Sequence, residues 1–126
     1  RLAGESLPRS QGRVMADGLA LAPRQLRRYI GFVQQDDAMN ASLTIREVLA
    51  FASALRDWRM PRKAREQSVA YVLDRLGLNA VADCRLGGER RRGVSGGERR
   101  RAAIGVELVA SRRVLILDEP TSGLDE

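Results

Sequence analysis

A chain of 126 residues accommodates one domain at most, and if complete it would bury roughly two-thirds of its unfolded surface, enough for a core. No run of 18 apolar residues occurs and no apolar leader opens the chain, so neither a transmembrane helix nor a signal peptide is expected. The formal charge of +6 is almost all arginine, with Lys63 the one lysine; this suits either an anionic partner or a biased codon composition.

The lone cysteine, Cys84, forms no internal disulfide and fits a reducing compartment. The chain starts at Arg1 rather than Met and stops one residue after Asp125, so both ends read as cut and a fragment is expected.

Residues 11–18 read as a turn and a short strand, Arg13-Val14-Met15-Ala16, closed by the turn pair Asp17-Gly18. Arg28-Tyr29-Ile30-Gly31-Phe32-Val33 reads as a second strand, rich in aromatic and β-branched types, and it runs into the polar stretch Gln34-Gln35-Asp36-Asp37. A helix is expected from Thr44, which forms a capping box with Glu47. Ile45, Val48, Leu49, Ala52 and Leu55 then recur at the spacing of one buried face. Pro61 suits the first turn of a second helix, Val69, Val72, Leu73 and Leu76 form its apolar stripe, and Gly77 is its C-cap.

Residues 85–93 are rich in Gly and Arg and read as a loop. A third helix is expected from Ser95 to about Ala110. Residues 113–118 follow as a strand buried on both faces, because the apolar run does not alternate. The order of elements is that of an α/β core interrupted by a helical insertion between about Ala38 and Gly93. In the run Arg99-Arg100-Arg101 each helical step is about 100°, so three side chains fan over about 200° and cannot line one groove. No nucleic-acid partner is expected from them, nor from Arg90-Arg91-Arg92.

Two segments carry the chemistry. Ser95-Gly96-Gly97-Glu98 reads first as a capping box, Ser95 with Glu98. That reading leaves two glycines unexplained in a first turn, where Gly is unfavourable relative to Ala. Glycine there lets a phosphate approach bare backbone at the positive end of the helix. Asp118-Glu119 reads first as a polar strand end. Paired carboxylates at the carboxyl end of a parallel strand also stand where open α/β sheets bind ligands. The first can support Mg²⁺, and the second can orient and deprotonate a water. Pro120 then stops the strand. Ser95 and Asp118 are 23 residues apart, room for one helix, a turn and a strand.

Together these segments closely resemble the signature and Walker B/D-loop segments of ATP-binding-cassette (ABC) ATPases. Gly31-Phe32-Val33-Gln34-Gln35-Asp36-Asp37 resembles a Q-loop, and Leu43-Thr44-Ile45-Arg46-Glu47-Val48-Leu49 resembles the first helix of the helical subdomain. Gln-Asp-Asp after the strand, and Glu98 where the signature usually has Gln, resemble subfamily G, the White or pigment-precursor, sterol and drug exporter group.

The resemblance implies an α/β fold: a partial P-loop NTPase core with an inserted helical subdomain. It divides the chain into core strands and Q-loop (1–37), helical subdomain (38–93), and signature helix, Walker B strand and D-loop (94–126). It implies ATP and Mg²⁺ as cofactors and Glu119 as general base, with Asp118 and Gln35 supporting the metal. Ser95, Gly96 and Gly97 would meet the γ-phosphate of ATP held by an opposing subunit, with Glu98 of the same motif counted among the nucleotide-binding residues; Gln35 would report nucleotide state, and Asp125 would sit at the dimer interface.

The implied partners are a second nucleotide-binding domain and a transmembrane domain, at the cytoplasmic face of a membrane. The implied activity is ATP hydrolysis coupled to export of a hydrophobic substrate. A soluble ABC ATPase acting on nucleic acid or the ribosome, or a non-catalytic remnant, are the alternatives. Gln35 and Ser95 are 60 residues apart, room for one compact subdomain and not for a long coiled coil. No G-x-x-x-x-G-K-[ST] loop and no histidine occur in the chain, so on its own it is expected to be inactive.

Overall fold

The computed structural model describes residues 15–16, 18–20, 22–34, 39–56, 58–87, 93–110 and 112–119. Strands β1 (Met15–Ala16) and β2 (Leu19–Ala20) form a small antiparallel hairpin. Gly18 takes φ +77° in its turn, a backbone state open to glycine. Helix α1 (Pro23–Tyr29) follows, with Pro23 in its first turn and the Gln25 amide oxygen accepting from the Ala22 N–H. Strand β3 (Ile30–Val33) leaves α1 directly.

The expected strand over 28–33 is therefore shortened: Arg28 and Tyr29 belong to the last turn of α1. The local cause is the proline-led helix start. β pairing begins only where the chain meets β4 (Val114–Leu117), in parallel register Ile30 to Val114 through Val33 to Leu117. The ladder extends one residue each way, from Arg113 N–H to Tyr29 O and from Asp118 N–H to Val33 O.

Between β3 and α4 (Gly96–Val109) lie α2 (Ile45–Arg56), α3 (Arg62–Arg75) and a 3-10 turn (Asn79–Val81). The Thr44 box forms as expected, with Glu47 Oε2 accepting from Thr44 N–H at 2.8 Å and Thr44 Oγ1 accepting from Glu47 N–H at 3.2 Å. Gly77 ends α3 at φ +64°, and Leu78 N–H reaches back to Leu73 O, the Schellman pattern.

The core lies where α2, α3 and α4 meet, around Ile45, Leu49, Val69, Val72, Leu73 and Ala102. Gly105 lets α4 come close: a Cβ there would sit 3.0 Å from Leu49 Cδ2 and 3.1 Å from Leu76 Cδ1. Each large apolar side chain fully buried here contributes roughly 1.5–3 kcal/mol.

Two burial expectations are corrected. Leu55 is exposed, and Ser53 is buried in its place. At about 100° per residue, Ser53 continues the line of Ile45 and Leu49, whereas Leu55 falls off the other side. Residues 114–117 are not buried on both faces: Val114 is 51%, Ile116 46% and Leu117 37% exposed. The described sheet that holds them is two strands wide, and its cover is too narrow for the apolar run. No helix among the described residues is long and apolar enough to cross a membrane.

Candidate functional site

The N-terminus of α4 is held by its own residues. Ser95 is its N-cap in extended backbone, φ −62° and ψ 161°. Its hydroxyl accepts from Glu98 N–H at 3.2 Å, and Glu98 Oε2 accepts from Ser95 N–H at 2.8 Å. The Ser95 N–H first, and then the Ser95 side chain, hold the Glu98 carboxyl below the usual carboxylate range; the charge of Arg101 adds to them and desolvation opposes them. Glu98 thus spends its carboxylate on the turn, and the groups left to face outward are Ser95, Gly96 and Gly97. The amides of Gly96 and Gly97 lie in the first turn, where a helix has no carbonyl of its own to offer. Space is open beside Gly96, where a Cβ would meet nothing within 4 Å.

A backbone strap holds this turn. Val94 N–H donates to Arg85 O, and Arg99 Nη1 donates to Gly87 O at 2.6 Å. Gly93 lies so close that a Cβ would come within 2.5 Å of Gly87 Cα and N and strike the Leu86 carbonyl oxygen. The same strap reaches the start of α2: Leu86 N–H donates to Leu43 O, Gly87 N–H to Ala41 O, and Ile45 N–H to Cys84 O. Beside it, Arg46 pairs with Asp83 at 2.7 Å and depresses the Asp83 carboxyl, chiefly through that hydrogen bond.

Asp118 and Glu119 close β4, both exposed. Glu119 has φ +43°, the left-handed region that a residue with a side chain rarely adopts. Arg100 of α4 reaches across to both strand ends, donating from Nη1 to the Gln34 carbonyl and from Nη2 to the Asp118 carbonyl. Two of the three arginines in that run are therefore turned onto the protein's own carbonyls. Behind them α4 packs on β3, where a Cβ on Gly31 would lie 2.5 Å from Glu107 Oε2 and 2.8 Å from Leu115 Cδ2. The structure thus brings the capped turn, the strand ends and the acidic pair onto one helix–sheet unit. Gln35 and Asp125 lie outside the described residues.

The sequence reading missed Arg100, treated as one spoke of a charge fan, and missed the left-handed Glu119. Its only available signal for Arg100 was a basic residue one turn into a helix whose following strand ends in carboxylates.

The donors fit a phosphate and a hard cation. The first turn of α4 offers amide hydrogens and open space. The strand end offers carboxylate oxygens, with no cluster of three or more Asp, Glu, His or Cys among the described residues. That set suits a cation such as Mg²⁺, which keeps water and phosphate oxygens among its ligands.

A helical insertion between β3 and α4, a capped glycine turn opening α4 and a parallel strand ending in an acidic pair are together the parts of a nucleotide-hydrolysing α/β domain. The ABC transporter family model matches residues 2–122, and the chain belongs to the ABC transporter family. It is 42% identical over 115 residues to ABC transporter G family member STR2 of Petunia hybrida, covering 91% of this chain and 16% of that protein. It is 41% identical over 126 residues to the broad substrate specificity ATP-binding cassette transporter ABCG2 of Rattus norvegicus, covering 98% of this chain and 19% of that protein. Against ABC transporter G family member 18 of Arabidopsis thaliana the identity is 43% over 127 residues, 99% of this chain and 18% of that protein. The chain thus spans less than a fifth of the length of these curated relatives, and they carry the subfamily G identity that the Gln-Asp-Asp and Glu98 features suggested. Members of the family bind ATP and are ATPases.

Proposed function

We propose that this chain is the central part of a nucleotide-binding domain that couples ATP hydrolysis to export of a hydrophobic substrate. Residues 1–37 contribute core strands and Q-loop, 38–93 a helical subdomain, and 94–126 the signature helix, Walker B strand and D-loop. The exposed apolar face of β4 supports its place in a sheet wider than two strands. The domain works at the cytoplasmic face of a membrane with a second nucleotide-binding domain and a transmembrane domain.

The observation that carries this reading is the preformed, open turn at Ser95, Gly96 and Gly97, joined through α4 to Asp118 and Glu119. In a closed dimer the turn meets the γ-phosphate of ATP held by the opposing subunit. Glu98 keeps its shape, and Asp125 lies at the interface. Asp118, with Gln35, supports Mg²⁺; when bound, Mg-ATP supplies the phosphoanhydride bond and neutralises charge at its phosphates. Glu119 orients the lytic water and takes its proton.

The test uses the complete protein. Glu119→Gln keeps shape and hydrogen bonding but cannot take a proton, so turnover falls about 10²–10⁴-fold. ATP still binds, and a closed ATP-bound dimer accumulates on size exclusion with Mg-ATP. Asp118→Asn weakens the Mg²⁺ dependence as well. Wild-type hydrolysis by Glu119→Gln would show that the base is another residue.

A further inference from the structure

We propose that Arg100 is a positioning residue for the general base, fixing the peptide that carries Glu119. This rests on the reading of Glu119 given above. Asp118 is held from both sides of its main chain. Its N–H donates to Val33 O at 3.0 Å, and its carbonyl accepts from Arg100 Nη2. The second prong of the guanidinium, Nη1, is on the Gln34 carbonyl, the next residue along the neighbouring strand.

A planar fork spanning two adjacent strand ends fixes their separation and the direction of both carbonyls, which a single-point cation cannot do. The Asp118 carbonyl belongs to the peptide plane leading into Glu119. Pinning that plane pins one side of the torsion that stands at +43° in Glu119. A left-handed glutamate persists only where its surroundings over-determine it, and a bond from a helix onto the preceding carbonyl does that. Arg100 lies in the same helix whose first turn is Ser95–Gly97, so the base is referenced to the helix that faces nucleotide rather than to its own strand alone.

The experiment is steady-state ATPase kinetics on the complete protein for wild type, Glu119→Gln, Arg100→Met, Arg100→Lys and the double variants with Glu119→Gln. Arg100→Met keeps the aliphatic stem and removes both donors. It should lower kcat about tenfold to a hundredfold, the scale of a misplaced catalytic group, while KM for ATP stays within about twofold. Arg100→Lys should recover part of the loss, because one ammonium serves one carbonyl well and not two. In the Glu119→Gln background Arg100→Met should cost nothing further, since there is no base left to position.

If wild type is active and Glu119→Gln is not, the base assignment stands by itself. Wild-type kcat in Arg100→Met, a rise in KM in place of a fall in kcat, or a loss that multiplies in the double variant then overturns the role of Arg100. An active Glu119→Gln overturns both. Should Arg100→Met not fold, Arg100→Lys decides: a reduced kcat at unchanged KM, absent from the double variant, supports the proposal, and wild-type kcat refutes it.

Discussion

Leu73 and Ile116 are both apolar side chains in regular elements, yet Leu73 is sealed where three helices meet and Ile116 is 46% exposed. The helical region closes its own core, because α2, α3 and α4 each turn one face toward the others. The strand region does not: among the described residues β3 and β4 are joined edge to edge, with α4 packed on β3. The capped turn at Ser95 belongs to the self-sufficient region and the acidic pair to the open one. A site assembled across such a boundary gets its rigidity from one side, through α4.

Core truncation gives the widest separation between the two regions. Leu73→Ala should cost about 2–5 kcal/mol, because the site is fully packed and leaves a cavity. Ile116→Ala should cost less than about 1 kcal/mol, in keeping with a surface position. Urea denaturation of the 126-residue chain reads both, and equal costs would erase the distinction.

The two capping boxes sharpen the comparison at smaller scale. Thr44→Ala and Ser95→Ala should each lose about 1 kcal/mol, the usual value of a helix N-cap. In the complete protein only Ser95→Ala should also slow ATP turnover, so a matching loss in Thr44→Ala would mean that turnover follows cap stability and not phosphate contact.

Acid makes the smallest difference. Glu98 and Asp83 both have carboxyls depressed below their ordinary values, so each contributes stability that is fully present above the unfolded carboxylate pKa of about 4. That stability is lost as pH falls through the lower folded values. Both groups are well solvated, and the effect on each is screened. Glu98→Gln retains the capping geometry without the titration, so its thermal midpoint should change less than that of wild type between about pH 6 and pH 3. Parallel curves would remove Glu98 from the acid limb.

Much of the helical region was legible because its signals are local. Thr44 with Glu47, Ser95 with Glu98, and Gly77 act over a few residues, and each forms the expected structure. The failures share the opposite property. Tyr29 reads as strand by type, but Pro23 starts a helix that runs through it, and pairing with β4 begins only at Ile30. The apolar run at residues 114–117 reports the cover a strand is suited to, not the cover that the described residues provide. Arg100 and the turn of Glu119 depend on two strand ends 84 residues apart in sequence, Gln34 and Asp118, meeting under one helix. No pattern within a short window encodes such a meeting.

The strap at residues 84–87 has an evolutionary consequence. Residues 84–87 contribute main-chain atoms to it, so the connection does not depend on which side chains stand at exposed Cys84 and Arg85. Those positions are free to drift without loosening it. Proline at Leu86 or Gly87 would delete a donor, and any side chain at Gly93 would push the two segments apart. Selection on this joint should therefore appear as the retention of glycine at Gly93 and a ban on proline at Leu86 and Gly87, while Cys84 and Arg85 vary.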